Sequence, residues 1–267
     1  MKKLVIFASH IPSDDKIYIG EDILKKIKTY LGEDVDIFAG VNPSPSLDKW
    51  LGVLRKYTDN IEVTPSNLVI NSDTSAYQSA LRLYKKHIKN YNLVWFLHTQ
   101  GTGSGNNSAR EGHLDTLLSD VTNAINVFND ESVGVYAHSL VPLPYHDKPH
   151  YDETTDFFLD RFGVPRKYRP IRCFFSGTMW VMRGNILNYF LNNCNDDFFN
   201  GLLYNSAGNV NVGDKWFFER DFIHIVDSYH DYTLKTRHVT DFYNTPPMNN
   251  NGYLKLVNTW KKKRLSF

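Results

Sequence analysis

The chain of 267 residues has only two cysteines, Cys173 and Cys194. So few cysteines argue against the disulfide framework that holds many small secreted domains together, and they indicate a reducing compartment. Two cysteines at this spacing do not predict a zinc site either.

The sequence also lacks a long apolar run. No stretch approaches the roughly 20 apolar residues that a membrane-spanning helix needs. The first apolar run is interrupted by Ser9, His10, Asp14 and Asp15, too early for the core of a signal peptide. We therefore expect a cytoplasmic protein that is peripheral to a membrane at most.

Neither sign of charge is in excess, because 30 Lys and Arg residues balance 29 Asp and Glu residues. Without a global field, the chain is not expected to bind nucleic acid. One basic run, from Lys261 to Arg264, follows Trp260. We expect a solvated tail there, with a weak contact of residues 260–267 with acidic lipid or a partner as the alternative.

Short apolar runs alternate with helical patterns along the chain. The predicted strands are Leu4–Ala8, Val35–Ala39, Ile61–Val63, Leu68–Ile70, Leu93–Leu97, Val133–Ala137, Cys173–Phe175 and Met179–Met182. The predicted helices are Glu21–Leu31, Ser46–Tyr57 with Ser46 as N-cap, Thr74–Ile88, His113–Phe128, Asp152–Phe162, Asn185–Leu191 and Lys215–Tyr229.

Several of these strands are apolar on both faces, and helices lie between them. This pattern indicates a mostly parallel sheet with helices on both sides, the α/β class. We predict a single domain over residues 1–232 and a C-terminal tail, residues 233–267, that wraps the core.

Asp73 stands where a strand ends and a helix begins, within Asn71-Ser72-Asp73-Thr74. A carboxylate at this position serves either as an N-cap or as an acceptor of hydrogen bonds from the hydroxyl groups of a ligand. Ligands of open α/β sheets bind outside the carboxyl ends of the strands. The position of Asp73 fits both interpretations.

His98, Thr99 and Gln100 follow the central strand, ahead of the flexible loop Gly101–Asn107. These side chains are expected to hydrogen-bond phosphate or sugar oxygens; a histidine with purely structural partners is the alternative for His98. Arg110, further along the same segment, is a candidate counter-charge for a diphosphate, because guanidinium groups pair bidentately with phosphate.

Two later segments carry further candidates. Ser176, Gly177 and Thr178 form a small-residue turn that lets the backbone approach a ligand, and Trp180 or Trp216 is a candidate for stacking on a sugar ring. Glu219 directly follows the aromatic stretch Trp216–Phe218, a setting that would raise its pKa and suit a general base; Arg220 comes next. The alternative is that both are ordinary charges on a helix surface.

In order and spacing, five stretches resemble the rhamnan synthesis F family of glycosyltransferases. They are Asn71–Tyr77 (NSDTSAY), Phe96–Ser104 (FLHTQGTGS), Ser132–His138 (SVGVYAH), Phe174–Arg183 (FFSGTMWVMR) and Phe217–Phe222 (FFERDF). The resemblance implies a Rossmann-like GT-A fold and transfer of a hexose or deoxyhexose, including rhamnose. The donor would be a nucleoside-diphosphate sugar and the acceptor a glycan, as in polysaccharide or glycoprotein glycan assembly.

The resemblance also implies roles. Glu219 would take the proton of the acceptor hydroxyl in an inverting transfer, with Asp73, His98, Thr99, Gln100 and Arg110 at the donor. Ser176, Gly177, Thr178, Trp180 and Arg220 would contact the acceptor or the sugar. Gln100 and Gly101 stand where the family tends to carry lysine, so the cation near the diphosphate is expected from Arg110, Arg183 or a metal ion.

Metal dependence stays open. GT-A enzymes usually carry Asp-x-Asp after the central strand to hold a divalent ion such as Mn²⁺ or Mg²⁺, and Phe96–Gly101 lacks that pair. A late site from His224, His230 and His238 with Asp227 and Asp231 is conceivable, although their spacing is not a tight ligand pattern.

Two other classes compete with the transferase hypothesis. A non-catalytic carbohydrate- or nucleotide-sugar-binding module on the same fold is favoured by the missing Asp-x-Asp pair. An NAD-type Rossmann enzyme is disfavoured, because the first strand runs into Ser9-His10-Ile11-Pro12 without a glycine fingerprint. The run GTGSG lacks the Gly-Lys-Ser/Thr ending of a phosphate-binding P-loop.

Overall fold

The structure of the chain is a computed structural model, and it describes residues 1–65, 73–99, 102, 107–142, 173–194 and 233–239. The strands in these ranges are β1 Lys3–Ser9, β2 Asp36–Val41, β3 Ile61–Val63, β4 Leu93–His98, β5 Val133–Pro142, β6 Cys173–Phe175, β7 Trp180–Arg183 and β8 Thr233–Val239. The helices are α1 Ile17–Leu31, α2 Leu47–Leu54, α3 Asp73–Lys85, α4 Asn107–Leu114, α5 Val121–Asn126 and α6 Gly184–Asn193.

The described strands form one eight-stranded sheet. Strands β3, β2, β1 and β4 lie side by side in that order and are all parallel. β7 then pairs antiparallel with both β4 and β5. β6 and β7 occupy successive stretches along one edge of β5, and β8 runs parallel along its other edge. The predicted α/β class with a mostly parallel sheet is confirmed.

The parallel strands are apolar on both faces because helices cover both. Phe7 in β1 belongs to a core cluster with Ile23 of α1 and Trp50 of α2 on one face. On the other face, Phe96 of β4 contacts the ring of Tyr77 in α3, with 5.6 Å between centroids. Neighbouring residues along one strand therefore serve two cores, which is why these strands read as continuous hydrophobic runs rather than alternating ones.

Gly40 brings α3 unusually close to the sheet. A Cβ at Gly40 would lie 1.7 Å from the carbonyl oxygen of Ala76, well inside contact distance. The predicted second strand ends at Ala39, but β2 continues through Gly40 to Val41. The missing side chain of Gly40 lets α3 rest directly on β2, which sets where the first residue of α3, Asp73, stands relative to the strand ends.

Several details of these elements differ from the prediction. The helical segment expected from His113 begins at Asn107, and a π-helical turn, Asp115–Ser119, interrupts it before α5. Ser46 precedes α2 but makes no side-chain capping hydrogen bond. Thr233–Val239, the start of the segment expected to be a tail, forms β8 within the sheet.

In the ranges that the structure describes, no helix is both long and apolar enough to cross a membrane. The predicted elements Leu68–Ile70, Asp152–Phe162 and Lys215–Tyr229 lie outside these ranges.

Candidate functional site

The candidate site lies at the edge of the sheet where the parallel strands end. In the paired register, Ala8 near the end of β1 is opposite His98, the last residue of β4, and Ser9 is opposite Val41, the last residue of β2. Parallel strands present their carboxyl ends at one edge, so three strand ends meet here. Asp73, as the first residue of α3, reaches the same edge from one face of the sheet.

Asp73 and His98 face each other at this edge. Asp73 Oδ2 lies 3.8 Å from His98 Nδ1, and the two side chains are 21% and 13% exposed. The contact is an ion pair when the imidazole is protonated, but it is too long for a hydrogen bond. Asp73 Oδ2 is buried and has no hydrogen-bond partner. The predicted proximity of these two residues to one site is thus seen in the geometry.

The other ring nitrogen of His98 holds a turn in a different part of the chain. His98 Nε2 lies 2.7 Å from the carbonyl oxygen of Gly177. A carbonyl oxygen only accepts hydrogen bonds, so Nε2 must carry the proton and donate it. This leaves Nδ1 directed at Asp73. His98 therefore joins the end of β4 to the small-residue turn between β6 and β7.

The turn itself has a left-handed backbone. Gly177 has a φ of 81° and Thr178 a φ of 53°. Glycine adopts this region without penalty, but for a β-branched residue it is an outlier, and residues so held cost about 1–3 kcal/mol each. The arrangement persists only if surrounding contacts hold it. Such strain is found most often where a backbone is shaped to meet a ligand.

Tyr77 supplies a second contact that holds the turn. Its hydroxyl donates to the carbonyl oxygen of Thr178 across 2.8 Å. The ring is fully buried, and this burial, reinforced by the negative charge of Asp73, raises the pKa of Tyr77 well above its usual value. Tyr77 is therefore a permanent hydroxyl donor. No role was predicted for Tyr77, although it falls in the same motif stretch as Asp73.

His113 closes the opposite side of the turn and was not predicted as a site residue. A Cβ at Gly177 would lie 2.2 Å from His113 Nε2, so the imidazole rests directly on the glycine. His113 is 3% exposed, and its Nδ1 has no hydrogen-bond partner. Burial, together with the nearby imidazoles of His138 and His98, lowers the pKa of His113 to about 3. The side chain is neutral at physiological pH.

His138 stands behind His113. Their rings meet edge to face, with 4.9 Å between centroids. The ring of His138 is held in turn by the hydroxyl of Thr116, which lies 2.6 Å from Nδ1 of His138. Of these three histidines, His98 and His113 contact the turn, and His138 contacts His113. Nothing in their sequence spacing indicates this, because each belongs to a different element.

Thr99 has backbone partners. Its hydroxyl accepts a hydrogen bond from the backbone N–H of His10 and donates one to the carbonyl oxygen of the same residue, at 3.0 and 3.2 Å. Thr102 donates to that carbonyl as well, at 2.9 Å. The two threonines therefore fasten the segment after β1 to the segment after β4. The predicted donor contact of Thr99 stays a prediction.

Two other predicted residues are enclosed. Trp180 has no exposed surface and stacks on Phe96 with 5.1 Å between ring centroids, so its ring belongs to the core and offers no face to a sugar in this arrangement. Arg110, in α4, is 8% exposed. Its predicted contact with a diphosphate stays a prediction.

Arg183 was considered as a cation near the diphosphate, and the structure corrects this. Arg183 pairs in register with Leu93, the first residue of β4, whereas the site lies at the last residue, roughly 17 Å along the strand at 3.3 Å per residue. Its guanidinium donates to the carbonyl oxygens of Val133, Phe128 and Asp130. Arg183 therefore holds the segment before β5 at the opposite edge.

A divalent metal ion does not fit the described part of the site. Among the described residues, no group of three or more His, Cys, Asp or Glu side chains is arranged to hold one. At the end of β4, the ring nitrogens of His98 are directed at Gly177 and Asp73. We derive no chemical step through a metal ion.

Most of the remaining predicted residues lie outside the part of the chain that the structure describes. Gln100, Glu219 and Arg220 lie outside the described residues, as do Trp216, His224 and His230. Ser176 belongs to the described turn through its backbone. His238 lies in β8, where its backbone pairs with Ser139.

No protein-family model matches the sequence, and no curated protein matches it either. A solved structure described as the crystal structure of glucosyl-3-phosphoglycerate synthase from Mycobacterium tuberculosis, in complex with phosphoglyceric acid, is similar at 10% sequence identity. The match covers 98% of this chain and 78% of that chain with a TM-score of 0.35. A likeness at this level carries no argument about function, so the resemblance to the rhamnan synthesis F family rests on the motif residues.

Proposed function

We propose that the protein is a glycosyltransferase that moves a sugar from a nucleoside-diphosphate sugar to a glycan acceptor. The observation that supports this most is the meeting of motif stretches that are far apart in the sequence. Asp73, His98, Gly177 and His138 come from four of the five stretches on which the family resemblance depends. Asp73 faces His98, and His98 contacts Gly177. His138 is linked to Gly177 through the ring of His113.

The location of these residues supports a ligand site. His98 ends β4 beside the carboxyl ends of β1 and β2, at the edge where open α/β sheets bind their ligands. The left-handed turn at Gly177 and Thr178 supplies backbone without a bulky side chain at its tightest point. Sugar recognition needs polar groups held in place, and a backbone held by buried side chains meets that need.

In the proposed reaction, the donor lies at the edge formed by Asp73, His98, Thr99, Gln100 and Arg110. The sugar and acceptor meet the turn at Ser176, Gly177 and Thr178, and Arg220 is a further proposed contact. Glu219 takes the proton of the acceptor hydroxyl as that oxygen attacks the anomeric carbon and the nucleoside diphosphate leaves from the opposite face. One carboxylate base suffices for this inverting displacement.

A donor panel tests the proposal. The purified protein is incubated with UDP-, GDP-, dTDP- and CMP-sugars, including dTDP-rhamnose, each with Mn²⁺ and with EDTA, while thermal shift and donor hydrolysis are followed. We expect one nucleotide family to raise the melting temperature and to be hydrolysed slowly. Glu219→Gln is expected to abolish hydrolysis while keeping the thermal shift.

The matched control is Glu131→Gln, which removes an exposed carboxylate near the opposite edge of the sheet. It is expected to behave as wild type. A thermal shift without turnover in wild type would favour the binding module over the enzyme. No shift with any donor under either metal condition would contradict the transferase and favour a carbohydrate-binding module.

A further inference from the structure

The Gly177–Thr178 turn is held at two successive carbonyl groups by side chains from two other elements. His98 of β4 donates to Gly177 O at 2.7 Å, and Tyr77 of α3 donates to Thr178 O at 2.8 Å. Both residues of the turn have left-handed φ values. A backbone in that region relaxes unless contacts oppose it, and these two donors oppose the relaxation.

Asp73 lies near both donors: it shares helix α3 with Tyr77 and faces His98 of β4. Tyr77 follows Asp73 by one helical turn, so the two side chains lie on the same face of α3. Asp73 Oδ2 lies 3.8 Å from His98 Nδ1, the nitrogen that does not serve the turn. When the imidazole is protonated at both nitrogens, the carboxylate of Asp73 attracts it and keeps Nε2–H directed at Gly177 O.

His113 completes the support from the other side. Its ring occupies the space that any side chain at residue 177 would need. Because the ring is buried and neutral, it acts on the turn by contact rather than by charge. The turn is thus enclosed between the hydrogen-bond donors His98 and Tyr77 and the neutral ring of His113.

We propose that His98 and Tyr77 are positioning residues, which act on the ligand through the Gly177–Thr178 turn rather than by touching it, with Asp73 orienting His98. This inference rests on the proposed function, because the turn is taken to line the sugar site. It gives His98 a different role from the direct donor contact expected from the sequence. Loss of either donor should disorder the turn and weaken the use of the sugar donor.

Four variants test the inference. Tyr77→Phe removes one hydroxyl and keeps the ring, and His98→Leu removes the donor to Gly177. His98→Gln is the rescue variant, because the side-chain nitrogen of glutamine lies as many bonds from Cβ as Nε2 of histidine does. Tyr84→Phe is the matched control, since Tyr84 is a buried tyrosine of the same helix whose hydroxyl contacts Asn188 Oδ1 at 2.8 Å, away from the turn.

The first measurement needs no ligand. Hydrogen–deuterium exchange of a peptide that covers residues 176–180 is expected to be about tenfold faster in Tyr77→Phe and His98→Leu than in wild type, the effect of losing one buried hydrogen bond. His98→Gln is expected to restore most of the protection, and Tyr84→Phe should match wild type at this peptide. Unchanged exchange in both Tyr77→Phe and His98→Leu would overturn the inference.

The second measurement uses hydrolysis of the donor found in the panel. We expect the KM to rise about tenfold in Tyr77→Phe and His98→Leu, at temperatures where thermal melting shows both variants folded. A Tyr84→Phe variant with the same KM change would overturn the inference, because a general loss of stability would then explain it. If wild type hydrolyses no donor, the proposed function fails, and the exchange measurement alone decides whether these residues hold the turn.

Discussion

The imidazole of His113 lies on Gly177 so closely that a methyl group at residue 177 would stand 2.2 Å from Nε2. The two residues belong to different elements, α4 and the turn between β6 and β7. Their contact joins the helical segment on one side of the sheet to the backbone of the candidate site. It makes the glycine and the histidine depend on each other.

Gly177→Ala should therefore be destabilising by two mechanisms. The methyl group meets His113, and alanine is disfavoured at a φ of 81° by roughly 1 kcal/mol. Urea unfolding of the single variants and the double variant with His113→Ala gives a double-mutant cycle. The double variant should be less destabilised than the sum of the two by at least about 0.5 kcal/mol.

Additive losses in that cycle would contradict the contact. Gly52→Ala is the control, because a Cβ at Gly52, in α2, meets nothing within 4 Å. It is expected to be neutral or to stabilise by up to about 1 kcal/mol, the usual gain of alanine over glycine in a helix.

Gly40→Ala should be more damaging than Gly177→Ala. The new methyl group would lie 1.7 Å from the carbonyl oxygen of Ala76, and a backbone atom cannot turn aside as a side chain can. Since α3 would have to move off β2, we expect a loss of about 3 kcal/mol or more. Chemical denaturation measures it, and a loss below that of Gly177→Ala would show that α3 is not held against β2 at this point.

Stability should depend on pH through His113. Its pKa is lowered to about 3 in the folded protein, whereas an unfolded histidine titrates near 6.5, so the unfolded chain binds the proton more readily between these values. The free energy of unfolding therefore falls as the pH drops from about 6.5 toward 3, by up to about 1.4 kcal/mol per pH unit from this residue. Above about 6.5 this contribution is constant.

His113→Asn isolates that effect, because asparagine is polar but does not titrate. The difference in unfolding free energy between wild type and variant should shrink, or reverse, as the pH falls from 7 to 4. A difference that stays constant over this range would mean that His113 is not kept neutral by the fold.

Arg183→Met should reduce stability without changing the site. It leaves the carbonyl oxygens of Val133, Phe128 and Asp130 without this donor, and we expect a loss of about 1–3 kcal/mol. Because Arg183 lies at the opposite edge of the sheet, the KM for the sugar donor should be unchanged. A KM increase at temperatures where the variant is folded would place Arg183 in the donor site after all.

Most described elements were predictable, since their patterns are local. The runs Leu4–Ala8 and Leu93–Leu97 are continuous and apolar, as strands covered on both faces must be, and they became β1 and β4. The strand Thr233–Val239 was missed because its sequence, TLKTRHV, mixes charged, polar and apolar residues and resembles a polar tail. Its pairing with β5 comes from the sheet rather than from its own composition.

The candidate site was predictable only in part. Asp73 and His98 were selected because each stands at the end of a predicted strand, and the structure places their side chains 3.8 Å apart. His113 and Tyr77 were missed because helical spacing predicts only that both are buried. Their contacts with the turn are long-range and leave no trace in the local sequence. The burial of Trp180 was not predictable for a similar reason: an aromatic residue beside a ligand-binding turn and an aromatic residue in the core look the same in a sequence.

By itself, the sequence determined the order of strands and helices and the residue types available at each strand end, because periodicity and turn chemistry act over a few residues. Tertiary structure alone decided which of these residues meet. Three contacts depend on how β4, α3 and α4 pack around β7: His98 with Gly177, Tyr77 with Thr178, and His113 with the turn. Packing brings together residues that are far apart in the sequence.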